Sequence, residues 1–369
     1  SMKLPWRSVI ELGQTESQIH DWLRLLLLVQ VIMGHALALF FPTIPEMLAQ
    51  ATPNHLGIAL RLVFRFGIQS AYIFVFLSGY MVGGKLLHEY LNKNMPKPMV
   101  FATSRVARIA PIAMMALVLT ATFDGAGIGI FMRTDFYRHV LNSDALAAFS
   151  VPVLIGNILF LEPTFVPSFG SNGPLWTLGY IVQFYVFGFV SLYAARFRSA
   201  MVLLGALGIL ASGAVFCPEW SVLLLVWVAG SVVRNLGLPV GRYLSFAIPF
   251  GIGVAVAANQ MPPLLSAAAS GLAGALMVIG ARTSRIRPIN RGEILRRLSG
   301  ESFTAYAVHF PVLTFVAALC PSRSEPFVAL VVGLGACAIV TVPSVFAAAR
   351  LDRAARSLLA PTPSVERAP

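Results

Sequence analysis

WLRLLLLVQVIMGHALALFFP, residues 22–42, is long and apolar enough to cross a bilayer, which takes about 20 residues. It carries Arg24 at its start and His35 past its middle. Polar side chains in a lipid-spanning helix are costly, so each asks for a reason. Arg24 and His35 are separated by about 17 Å at a rise of about 1.5 Å per residue. Arg24 therefore belongs near one interface and His35 beyond mid-membrane. His35 reads as a general base, since imidazole titrates near neutrality, or as a structural histidine bonded to another helix. Arg24 alone reads more simply as a side chain snorkelling to lipid phosphate.

Outward from this stretch, further spans are expected near 67–84, 103–122, 174–194, 199–216, 220–234, 239–257, 263–281, 302–320 and 326–348. The predicted fold is all-α and polytopic, with about ten transmembrane helices in one membrane domain over 1–349. A basic, partly disordered cytoplasmic tail follows over 350–369. Composition agrees: 57% of the 369 residues are hydrophobic and 11% charged, where soluble domains carry about 25% charged residues. The net charge of +12 sits mainly between apolar segments. That speaks for membrane orientation rather than nucleic acid.

Charge also sets the parity. With a cytoplasmic N-terminus, ten spans put 85–102, 195–198, 235–238, 282–301 and the tail inside. These segments hold Lys85, Lys93, Lys97, Arg196, Arg198, Arg282, Arg285, Arg287, Arg291, Arg296, Arg297, Arg350, Arg353 and Arg356. Far fewer basic residues fall outside, as the positive-inside bias demands. Segment 146–161 must then be re-entrant or interfacial, because a full crossing would move Arg282–Arg297 outside. Arg61 and Arg65 suggest a short amphipathic helix over 57–66 at the outer surface. Ser1–Gln18 lacks a secretory hydrophobic region and Ser1-Met2 resembles an expression scar, so the first span is expected to be an uncleaved anchor. Cys217, Cys320 and Cys337 show no metal-ligand spacing. They read as packing residues, with a Cys217–Cys320 bridge at the outer face as the alternative.

Other polar elements recur along the chain. Ser78-Gly79-Tyr80 ends the second span and offers a hydroxyl, or a close helix approach. Arg105 and Arg108 share a helical face at a span end. They suit phosphate or a lipid headgroup. Gly173–Tyr185 reads GPLWTLGYIVQFY; Pro174 fits a first helical turn, Trp176 an interface anchor, and Gln183 needs a partner. Ser302, Tyr306 and His309 make a polar stripe before Pro311.

Together these residues resemble the membrane-bound acyltransferase 3 family. Arg24 and His35 match its first-helix arginine and histidine, Ser78-Gly79-Tyr80 its SGF/SGY segment, and Arg105, Arg108 and Pro111 its RxxR element. Gly173–Tyr185 matches its GPLWSLSVEEQFY motif, and Tyr306, His309 and Pro311 its late histidine-proline element. The elements occur in family order over roughly residues 20 to 320. The resemblance implies a bacterial inner-membrane enzyme that takes an acyl group from acyl-CoA, as acetyl-CoA or succinyl-CoA, without a metal. It implies a glycan or lipid-linked oligosaccharide acceptor, such as an exopolysaccharide. It implies catalytic roles for His35, Arg24, Tyr306 and His309, and donor binding by Arg105, Arg108, Ser78, Trp176 and Gln183. Membrane lipid is the other expected partner.

One departure stands out. Ile181 and Val182 replace the motif's acidic residues, and Glu162 and Asp124 are the candidates to supply a carboxylate instead. The competing class is a transporter or flippase of a lipid-linked sugar or anion, which many helices with buried arginine and histidine would also suit.

Overall fold

The computed structural model describes residues 14–141, 143–236, 246–283, 292–320 and 325–359. The expectations for the N-terminal leader, the start of span 239–257, Arg285, Arg287, Arg291 and the end of the tail lie outside these residues. Helix α1 (Gln14–Phe40) is followed by short α2 (Ile44–Leu48) and α3 (His55–Val63). Next, α4 (Gly67–Ser78) continues through a π-helical turn into α5 (Gly84–Leu91), and α6 (Pro98–Gly125) follows. Three short helices, α7 (Thr134–Arg138), α8 (Ala145–Ala148) and α9 (Val151–Ile158), precede α10 (Trp176–Phe197). The rest is α11 (Ala200–Phe216), α12 (Pro218–Asn235), α13 (Ala247–Ala258), α14 (Pro263–Thr283), α15 (Gly292–Leu319) and α16 (Pro326–Leu359). No strand occurs among the described residues.

Seven stretches among them are long and apolar enough to cross a membrane: α1, α3 through α5, α6, α10, α14, α15 and α16. The other three expected spans are also helical where described, as α11, α12 and α13. Their outward faces are apolar: Met201, Leu204, Val215 and Phe216 on α11, and Val331, Ile339 and Phe346 on α16, are exposed. Such faces suit lipid, since no polar shell covers them. The protein is an all-α, polytopic membrane protein.

Segment 146–161 holds the end of α8 and the eight-residue α9. At about 1.5 Å per residue it cannot cross. Asn157 folds the chain back, donating to the Pro167 carbonyl at 2.9 Å and accepting from the Phe169 amide at 3.0 Å. The helix α16 runs on to Leu359, so the first part of the tail is helical. The three cysteines are free, and Cys217 Sγ instead lies 2.8 Å from the Tyr180 hydroxyl. Arg61 of α3 donates to the Leu37 and Phe41 carbonyls at 2.8 and 2.9 Å, closing the end of α1 whose carbonyls lack helical partners.

Helices α1 and α15 run side by side in the same direction: Asp21 accepts from Ser299 at 2.8 Å, and His35 meets His309 further along. Helix α16 runs opposite, with Cys337 donating to the His309 carbonyl. The start of α1 and the end of α16 thus fall at one end of the bundle. The segments that charge parity groups inside meet at that end too. Arg282 reaches the Val233 and Leu236 carbonyls and pairs with Glu16 at 3.9 Å. Tyr80 donates to Glu16, Arg234 lies over the Tyr80 ring, and Asn235 donates to the Gly84 carbonyl.

Beside α1 and α15, the core is built by α4, α6, α10, α12 and α14 around Phe76, Phe184, Trp220 and Trp227. Gly79 and Gly230 let α4 and α12 touch backbone to backbone. A Cβ at Gly79 would stand 2.0 Å from the Trp227 carbonyl oxygen, and one at Gly230 would stand 2.3 Å from that of Phe76. Close approach through small residues drives helix association in lipid. Gly79→Ala should therefore lower stability by about 1–3 kcal/mol, the usual overpacking range. Gly205→Ala, where nothing lies within 4 Å, should not. Thermal unfolding in detergent checks this, and equal melting temperatures for the two variants would contradict it.

Candidate active site

A cavity of about 600 Å³ opens between α4–α5, α6, α10 and α15, within the roughly 300–1,000 Å³ range of small-molecule sites. Its lining includes Lys85, Glu89, Ser104, Arg105 and Arg108, together with Arg24 of α1. Arg24 interacts electrostatically with Arg108, Asp21 and Tyr185. Neither the Arg24 nor the Arg108 guanidinium makes a hydrogen bond or ion pair with protein among the described residues. Arg105 contacts Ser104 at 3.3 Å and lies over the Phe101 ring. Glu89 pairs with Lys85 at 3.9 Å, so four cations, Arg24, Lys85, Arg105 and Arg108, share the lining with one carboxylate; an excess of cations on a cavity suits an anion.

Further in, the walls turn apolar through Phe74, Leu77, Ile181 and Phe303, with Ser78 and Tyr185 among them. Ser78 donates to the Tyr185 hydroxyl at 3.1 Å. The lining ends at Thr177 and Tyr306. Thr177 lies 2.9 Å from the Tyr306 hydroxyl, which also reaches the Pro174 carbonyl at 3.1 Å.

His35 does not line this cavity. It lies behind Tyr306, half-buried, with Nδ1 3.0 Å from Nε2 of fully buried His309. The two rings are stacked, and Phe310 meets His35 edge-on. His309 Nδ1 faces the Tyr306 carbonyl at 2.7 Å. The expected stripe on α15 therefore divides: Ser302 and Tyr306 face the cavity, while His309 faces α1.

Two of the expected donor-binding residues lie elsewhere. Gln183 turns to the other side of α10, where it donates to the Phe160 and Glu162 carbonyls and accepts from Thr164 and Trp220. Trp176 packs against Tyr72 and Tyr180. Both act as staples between elements, and neither lines the cavity. Residues the sequence reading did not single out, Thr177 and Tyr185, take places in the lining.

The loop before α10 is fixed to α15 by a break in that helix. Pro311 has no N–H to donate to the Ala307 carbonyl, and Asn172 donates to that carbonyl instead, at 3.0 Å. Asn172 also reaches Thr120 at 3.1 Å. Next to it, Gly170 adopts φ +57°, a region L side chains avoid. This lets Ser171 present its amide and hydroxyl to Asp124 at 2.6 and 2.8 Å. Asp124 is thus occupied in holding the loop. Glu162 is buried beside α10 at Gly179. Neither carboxylate hydrogen-bonds to either histidine.

The fold and the cavity define a membrane protein with a cation-lined chamber leading toward a buried histidine pair. Residues 19–349 match the family model described as an acyltransferase domain, and the chain belongs to the acyltransferase 3 family. No curated protein and no solved structure matches the chain. The protein is a membrane acyltransferase.

Glu162, in the loop outside the spans, has its carboxyl pushed up to about 8 by burial. In the unfolded chain it ionises near its ordinary value of 4.5. The folded protein binds more protons between these values, so stability should fall as pH rises from about 4.5 to about 8. Glu162→Gln should flatten that slope. Melting temperatures across this window test it, and an unchanged slope would contradict the assignment.

Proposed function

We propose that the protein transfers an acyl group from cytoplasmic acyl-CoA to a hydroxyl of an extracytoplasmic or lipid-linked glycan, such as an exopolysaccharide, in a bacterial inner membrane. The observation that carries this reading is one cavity lined by Arg24, Arg105 and Arg108 and also by Tyr306, which lies one helical turn before His309 of the histidine pair. Phosphates of the donor suit the guanidinium cluster, which offers bidentate contacts. The pantetheine arm suits the narrower walls of Phe74, Leu77, Ile181 and Phe303. The cytoplasmic orientation of the mouth follows from the basic residues gathered at that end. Both acetyl-CoA and succinyl-CoA are donors of the right class.

Tyr306 closes the inner end, so it has to turn aside for the thioester to reach His35. His35 then takes the proton from the acceptor hydroxyl. The oxygen bonds to the acyl carbon, the carbon–sulfur bond breaks, and the proton passes from His35 to the departing thiolate. General-base catalysis of this kind contributes about 10²–10⁴-fold.

Transfer from radiolabelled acetyl-CoA or succinyl-CoA to membrane glycan, with CoA binding measured in parallel, tests the scheme. His35→Ala should lose transfer by at least about 10²-fold and keep CoA binding. Arg108→Ala should weaken CoA binding on the order of tenfold, the worth of a charged hydrogen bond. Full transfer by the His35 variant, or unaltered CoA binding by the Arg108 variant, would overturn it.

A further inference from the structure

The histidine pair has a polarity that its hydrogen bonds determine. A carbonyl oxygen only accepts, so the His309 Nδ1 atom, 2.7 Å from the Tyr306 carbonyl, carries a proton. In a neutral ring Nε2 of His309 is then a bare acceptor. His35 Nδ1, 3.0 Å away, must supply the proton between them. The remaining nitrogen of His35, Nε2, is left with its lone pair free. A cationic His309 would reverse the second bond, but no carboxylate among the described residues contacts either ring. The other groups against the pair include the Ala305 carbonyl, Phe310, the Tyr306 ring and Cys337 Sγ on the His309 carbonyl, none of them anionic. An unpaired buried charge there would be strongly disfavoured.

We infer that His309 is a positioning residue that holds His35 in its Nδ1–H tautomer, making His35 Nε2 the basic atom, with a main-chain carbonyl orienting the pair where a carboxylate would otherwise stand. This rests on the proposed role of His35. When Nε2 takes the acceptor proton, the charge that forms on His35 is met by His309 Nε2 through the existing Nδ1–H bond. The arrangement accounts for a histidine site on a chain whose α10 carries Ile181 and Val182 in place of acids. The free histidine side chain favours the Nε2–H tautomer, so the tautomer of His35 is a state that His309 imposes. The break at Pro311 and the Asn172 contact on Ala307 fix the turn of α15 that bears the orienting carbonyl.

Nitrogen-15 NMR of histidine-labelled full-length protein in nanodiscs reads the tautomer directly. The chain has six histidines, and His35→Gln identifies the His35 signals. His35 should show a protonated Nδ1 and a bare Nε2. His309→Leu, which keeps bulk and removes the acceptor, should return His35 to the Nε2–H form and lower transfer on the order of 10²-fold at unchanged CoA affinity. His309→Gln, whose side-chain oxygen can accept in place of Nε2, should retain the Nδ1–H form and recover a substantial part of the activity. A bare Nδ1 on His35 in the unsubstituted protein, or an Nδ1–H form that survives His309→Leu, would overturn the inference. These spectra are independent of turnover. Loss of the acyl-CoA reading would appear only in the transfer and CoA-binding measurements.

Discussion

Inside a bilayer no water completes a hydrogen bond, so each buried polar group has to find its partner in another helix. The seam between α1 and α15 is where this constraint acts most strongly. Asp21 with Ser299, at one end, and His35 with His309, further in, hold the two helices in parallel register. The loop before α10 then locks onto α15 through Asn172 and Pro174. A one-residue shift of α15 would separate the histidines and leave the Tyr306 hydroxyl and the Ala307 carbonyl without partners. Register along this seam is therefore a condition for the site as well as for the fold.

The same packing separates two environments. Tyr306 lines a chamber that carries guanidinium groups and apolar walls. The imidazole pair, outside that lining, has no carboxylate in contact among the described residues. Under the proposed acyl-CoA reaction, such a division would keep donor binding apart from the base, and hydrolysis is the side reaction a closed site prevents.

Much of the fold was legible because a spanning helix is written in length and apolarity alone. The parity argument from basic residues also gave the short, non-crossing character of 146–161, and α9 is eight residues long. The end of α16 was less legible, since an amphipathic continuation past Arg350 has no apolar run to mark it. At the site, Arg24, Arg105, Arg108, Ser78 and Tyr306 were named from the sequence and line one cavity. Their convergence rests on pairings between distant segments, which one sequence does not display. Gln183 illustrates the difficulty. A buried amide needs partners, and the sequence said so, but not that α9's following loop and Trp220 would provide them rather than a ligand. Pro311 did carry a usable signal, because a proline inside a helix frees the carbonyl four residues earlier for an outside donor. Asn172 answers it from a position that only the folded chain brings near.

For the proposed reaction a thioester has to reach His35 past Tyr306, whose hydroxyl contacts Thr177 and the Pro174 carbonyl. A structure of the full chain with a non-hydrolysable acetyl-CoA analogue tests this most directly. It should show the donor's phosphates on Arg24, Arg105 and Arg108, Tyr306 released from Thr177 and Pro174, and the acyl carbon close to His35 Nε2. A donor bound outside the cavity, or one seated in it with Tyr306 still closed and its reactive carbon remote from His35 in a turnover-competent state, would contradict the account.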